Sequence, residues 1–166
     1  SPALFLRHAT LASAWNNPLI QYDQSRMNVS GTYLAMKMYA EHFAPERIAS
    51  EVACGGYELA GRQELVPYLD AVATHDPNGG RIVLKVLNRH RERPIETTVK
   101  NRTRDGATLR PEAIVKTLNA PQVEVKNTLD APDRMTVEEK RISGIDNSFR
   151  YVFPAHSATV IELTTR

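Results

Sequence analysis

The chain is short of the residues that most often announce a chemistry. It holds one cysteine, Cys54, so no intrachain disulfide can form and a zinc site built on several thiolates is excluded. A single tryptophan, Trp15, and an aromatic share of 7% are modest for a sugar-stacking platform. Neither sign of charge dominates: 21 basic against 19 acidic residues leave a net +2, which gives no global reason to expect nucleic acid or a membrane as partner. No apolar run approaches the ~18–20 residues of a transmembrane helix. The histidines, His8, His42, His75, His90 and His156, make no H-x-x-x-H or H-x-H pair, and no carboxylate cluster has calcium-loop spacing. There is no Gly-x-Ser-x-Gly elbow. "DPNGG" at 76–80 lacks the Lys-Ser/Thr of a phosphate loop. No cofactor and no metal are therefore expected.

What is present is an ordinary globular composition, 42% hydrophobic and 24% charged. The length suits one domain, or one domain with a remnant of another, and is enough to bury a core. The chain opens "SPALFLRHATLASAW", apolar from the start and without an initiator Met. Loose termini are usually polar, so a fragment or processed piece of a longer protein is expected. The opening residues lack the pattern of a secretory leader, and the composition fixes no compartment.

Two regions follow different periods. In residues 1–43, "ALFLRHA" reads as the end of a helix, and "TLASAWNNPLIQYD" as an apolar strand that stops near Asn17, because Pro18 cannot donate to a ladder. "SGTYLAMKMYAEHF" reads as a helix capped by Ser30 or Thr32 and ended by Pro45. Its Leu34–Met38, Ala35–Tyr39 and Tyr39–Phe43 pairs stack at i, i+4. Apolar residues cover most of its circumference, so burial on more than one side is expected.

From about residue 46 the period falls to two. "RIVLKVLN", "IETTVK", "VEVKN" and "FRYVF" read as strands, with further candidates at 47–54, 67–74, 112–118, 135–142 and 157–164. Turn signals at 76–80, 104–106, 129–133 and 143–147 separate them. Many short strands without intervening helices predict an antiparallel sandwich or jelly roll.

Three stretches carry possible chemistry. His156-Ser157 resembles a base and nucleophile, but neighbours on an extended strand point to opposite faces, so a strand start after Pro154 is the better reading. "NRHRERP" at 88–94 is the densest basic run. Lying between strands, without interleaved aromatics, it reads as a solvated connection. "AWNNP" at 14–18 puts an indole and two amides at the C-terminal end of an apolar strand, where ligands bind in parallel α/β folds. Trp15 can stack on a sugar and Asn16 and Asn17 can bond hydroxyls; equally, Trp15 can close a core and the amides can shape a turn.

In order and spacing, "GTYLAMKMYAEHF", "RIVLKVLNRH", "VEVKNTLDAPDRMTVEE" and "YVFPAHSATVIEL" together resemble the C-terminal part of the family 51 glycoside hydrolases, the α-L-arabinofuranosidases. The resemblance implies a mainly β chain: a strand–helix remnant of a (β/α)8 TIM barrel over residues 1–43, then a jelly-roll-like antiparallel β-sandwich over residues 44–166. It implies a parent enzyme that removes arabinofuranosyl groups from hemicellulose with retention. The two carboxyls such chemistry needs would be glutamates on barrel strands upstream of Ser1, the acid/base following an Asn. No Asn-Glu dipeptide occurs here, so no catalytic residue is assigned. By the same resemblance Asn17, or Asn16 with the register shifted by one, is the amide that faces the sugar, with Trp15 beside it. The implied partners are an arabinose-containing oligo- or polysaccharide, the missing barrel and a homo-oligomer. A competing reading is a free-standing sandwich that binds carbohydrate or protein, with Tyr57, Tyr68 and Tyr151 as stacking surfaces.

Overall fold

The computed structural model describes residues 6–8, 18–102 and 107–166. Leu6–His8 (β1) pairs in parallel with Ile20–Tyr22 (β2), which turns back through an antiparallel hairpin into Met27–Val29 (β3). The stretch expected to end a helix thus contributes a strand at residues 6–8; three residues with a parallel neighbour are held by the pairing, which local propensity does not register. The strand expected to stop near Asn17 and the turn at 104–106 lie outside the described residues.

Ser30 caps the helix that follows, Gly31–Glu41 (α1), its Oγ accepting from the Tyr33 N–H at 3.2 Å. The helix buries one face. Leu34, Ala35, Met38 and Tyr39 pack inward, while Met36 stays 51% exposed. The expected burial on several sides is not observed, because α1 lies on a single sheet and its outer face meets solvent.

That sheet is the body of the molecule. Its six antiparallel strands run in the order Val137–Ser143 (β11), Glu112–Leu118 (β10), Ala158–Thr164 (β13), Arg81–Asn88 (β8), Leu69–Asp76 (β7) and Glu46–Ile48 (β4). The last strand in sequence, β13, sits between β8 and β10, the kind of crossover a jelly-roll-like sandwich requires. A second layer is formed by Ile95–Lys100 (β9) and Ser148–Phe153 (β12). The short hairpin Gly56–Tyr57 (β5) with Val66–Pro67 (β6) lies apart.

Alternation sorts the side chains between two cores. Ile82, Val86, Val115, Ile161 and Leu163 face the second layer, where they meet Phe149, Tyr151 and Phe153. Val83, Val160, Leu118 and Ala158 face the other way and are covered by α1 through Met38. "RIVLKVLN" carries apolar residues on both faces because β8 lies between two layers, Ile82 and Val86 facing one and Val83 the other. Of the strand expected at 47–54 only residues 47–48 are strand, residues 49–54 being irregular, and "VEVKN" fails outright. Residues 123–124 form a turn, Val125 N–H donates to Gln122 O at 3.2 Å, and Val123 is 44% exposed. No layer faces that segment, so its alternation has nothing to pack against.

Candidate functional site

The hairpin β2–β3 and the start of α1 are fastened to the sandwich by side chains. Asp23 Oδ1 accepts from the Ser25 and Arg26 N–H groups at 2.9 and 2.8 Å and closes the turn. These bonds, the Ser25 N–H first and then the Arg26 guanidinium, hold the Asp23 carboxyl down to about 2. Arg26 reaches on to Asp130 at 2.6 Å. Asn127 donates from Nδ2 to Val29 O at 3.1 Å and Met135 O at 3.0 Å, and accepts the Met135 N–H at 2.8 Å. Gly31 lies against Met135: a Cβ there would stand 2.6 Å from the sulfur, so a larger residue at the helix start would have to push the flexible Met135 thioether aside.

Between this docked hairpin and the strand ends of the sandwich lies a groove of about 530 Å3. Pro18, Gln21, Asn28 and the first turn of α1 form one side; the 118–127 segment and His156 contribute to the other. Asn28 is 4% exposed and its Oδ1 has no hydrogen-bond partner. Trp15, Asn16 and Asn17, the residues expected to face a sugar, lie outside the described residues; Pro18, directly after them, is a wall of this groove.

His156 and Ser157 form no catalytic pair. The His156 ring nitrogens face Arg91 O at 2.6 Å and Ala120 O at 2.8 Å, and Ser157 Oγ donates to Pro154 O at 2.7 Å. Both residues precede β13, in a turn where His156 takes a φ of 41°. Asn88 completes the same corner: its Nδ2 lies within 3.1 Å of Arg93 O and Phe153 O and 2.9 Å of Pro154 O, and Oδ1 accepts the His90 N–H at 2.9 Å. The basic run 88–94 behaves as a connection, Arg89 pairing with Asp70 and Arg91 with Glu124.

Tyr151 is 7% exposed and packs on Phe153, so it offers no stacking surface. Alternation on β12 turns it into the core. Tyr57 and Tyr68 are half-buried and pack on each other at 5.6 Å. Among the described residues no three His, Cys, Asp or Glu side chains converge to hold a metal, and no helix is long and apolar enough to cross a membrane.

The sequence matches the family model of the α-L-arabinofuranosidase C-terminal domain over residues 6–157. The chain belongs to that family. An extracellular exo-α-L-arabinofuranosidase of Streptomyces chartreusis is 35% identical over 95 residues, which are 57% of this chain and 11% of that protein. An arabinose-bound family 51 α-L-arabinofuranosidase superposes with a TM-score of 0.81 at 22% identity, covering 99% of this chain and 24% of its own. The arabinose complex of the Thermotoga maritima enzyme gives 0.78 at 22% identity, over 89% and 31%. At that identity the two structures establish the fold alone. This α-L-arabinofuranosidase C-terminal domain thus spans a third or less of the length of each of these relatives. Within it, Asn88, Asn127 and His156 hold corners together, each sitting in one of the segments that carry the family wording.

Proposed function

We propose that this chain is the C-terminal portion of a retaining α-L-arabinofuranosidase that acts on arabinose-bearing hemicellulose. Residues 1–43 complete a catalytic barrel, and residues 44–166 form the sandwich that supports it. The family match over residues 6–157 carries this reading. The parallel β1–β2 pair supports it, being the one parallel contact among the described ladders and the pairing that barrel strands use. Retention requires two carboxyls about 5–5.5 Å apart, and neither is assigned to a residue of this sequence. Trp15 and Asn17, or Asn16, act on the substrate side, stacking on the sugar and bonding a hydroxyl.

The test is release of the aryl group from an aryl α-L-arabinofuranoside. The 166-residue chain alone is expected to release none, and a longer protein in which an arabinofuranosidase barrel precedes it is expected to be active. In that longer protein Asn17→Ala should lower kcat/KM by roughly 5- to 100-fold, the loss of one buried hydrogen bond worth about 1–3 kcal/mol. Turnover by the chain alone would overturn the division of labour; an inactive longer protein would overturn the assignment.

A further inference from the structure

α1 lies over β10 and β13, and one of its flanks overlooks the part of the sheet it leaves uncovered. Thr32, Met36 and Tyr39 follow one another at spacings of four and three, so they share that flank, and Phe43 continues the line just past the C-cap His42. Contacts fix the direction in which it looks. Lys85 of β8 donates to Tyr39 O at 2.8 Å, and its ammonium lies 5.2 Å from the Tyr39 ring. Thr32 lines the same groove as Leu87 of β8. On β7, Val72 is paired opposite Lys85, and alternation turns Val72, Lys85 and Leu87 to the face that carries α1. Val72 is 37% and Leu87 36% exposed, Met36 51% and Phe43 59%. An apolar helix flank and an apolar strip of sheet thus meet in an inner corner that no described residue fills, a surface of the kind that marks a contact with another element.

The size and position of the corner select its occupant. A helix packed beside another stands about 8–10 Å from it, and strands are spaced about 4.8 Å apart. Two strands beyond β13 lies β7, so a helix laid beside α1 would rest on Val72. A second copy of the chain fits poorly, because a two-fold contact needs a self-complementary surface and an inner corner one helix wide is not one. Polypeptide beyond this chain fits better. The chain covers 24% of one arabinofuranosidase of this fold and 31% of another. Parallel strands such as β1 and β2 are joined through helices that cover the faces of their sheet. That small sheet leads through β3 directly into α1, so further helices of a parallel sheet arise on the side of α1.

We propose that this corner seats an amphipathic helix of the barrel, its apolar face on Met36, Tyr39 and Phe43 of α1 and on Val72 and Leu87 of the sheet. This rests on the arabinofuranosidase reading and goes further, naming the surface by which the sandwich holds the barrel. Cysteine labelling tests it in the 166-residue chain and in the longer protein that carries a barrel before it, both freed of other thiols, here by Cys54→Ser. A single thiol is introduced by Val72→Cys, Phe43→Cys or Val152→Cys. Val152 is 51% exposed on the outer side of the second layer and serves as the control. All three positions are exposed in the chain, and an unchanged thermal midpoint would show that each variant folds. The thiols of Val72→Cys and Phe43→Cys are expected to react with a maleimide roughly tenfold or more slowly in the longer protein, and that of Val152→Cys equally in both. Unchanged rates at Val72→Cys and Phe43→Cys in a longer protein that hydrolyses an aryl arabinofuranoside would overturn the docking and leave the enzymatic reading standing. Slowed rates in a longer protein without activity would support the docking and count against that reading alone. Slowing in the 166-residue chain that grows with its concentration would assign the corner to a second copy and overturn the proposal.

Discussion

Asn88 lies where three segments end, the strand β8, the connection 89–94 and the strand β12. It is 3% exposed and its amide faces the carbonyls of Arg93, Phe153 and Pro154. Replacing it by alanine leaves those oxygens short of donors in a region water cannot easily enter. Asn88→Ala is therefore expected to lower stability by about 2–3 kcal/mol, at the upper end for an unsatisfied buried group. It should appear as a lower urea midpoint with an unchanged m-value. Asn88→Asp should be no better, since it brings acceptors where donors are required. The sequence shows Asn88 only as the last letter of "RIVLKVLN". Two of its three carbonyl partners lie 65 and 66 positions away, and periodicity carries no information about partners at that distance. His156 was legible as a non-catalytic residue, but for a different reason from the one strand geometry gives: it occupies a positive-φ turn, and its ring bridges Arg91 O and Ala120 O.

At the scale of elements, α1 is fastened at its C-terminus by the sheet. The helix has no basic residue in its own last turn. Lys85 of β8 donates to Tyr39 O at 2.8 Å with its ammonium 5.2 Å from the Tyr39 ring, Arg81 donates to Phe43 O, and His42 lies 2.8 Å from Glu162 of β13. Cations from a neighbouring strand thus meet the negative end of the helix. Burial pulls the Lys85 ammonium below its ordinary pKa, which offsets part of this gain. Lys85→Met should consequently destabilise by only about 1 kcal/mol, measured by urea unfolding. Ser30→Ala, at the other end, should lose about 1 kcal/mol through the cap alone. Tyr39 adds a dependence on pH. Burial, and then the Asp70 charge, push its phenol up from the ordinary 10.0 to about 12. The unfolded chain therefore releases this proton first as pH rises. The contribution is fully present below about 10 and is lost as pH climbs through about 12. The urea midpoint should fall across that window, and Tyr39→Phe should flatten the fall. The pairing of α1 with a sheet was not legible in "TYLAMKMYAEHF", because an apolar circumference shows that burial is possible on several faces and does not say which face has a neighbour.

For the whole molecule, the antiparallel sandwich was readable because its strands alternate: Ile95, Thr97 and Val99 are half-buried while Glu96, Thr98 and Lys100 are exposed, and Phe149, Tyr151 and Phe153 fall inward together. The order of strands was not readable, since pairing β13 between β8 and β10 depends on contacts 40 or more residues apart. That order places the α1-facing core on the central strands β8, β10 and β13. Val83 and Val160 are fully buried there, with Leu118 at 7% and Ala158 at 8% exposure. The proposed boundary between residues 43 and 44 cuts between this face and the helix that covers it. A chain of residues 44–166 would then fold with an open apolar surface in the middle of its sheet, the kind of patch that recruits dyes and partners. Compared with a chain of residues 18–166, it should bind a hydrophobic fluorescent dye strongly, unfold at a lower temperature and associate as its concentration rises. Equal dye binding and equal thermal midpoints for the two chains would show that α1 is an accessory to the sandwich. The expected difference would make residues 31–43 part of the sandwich's folding unit, whichever domain their sequence came from.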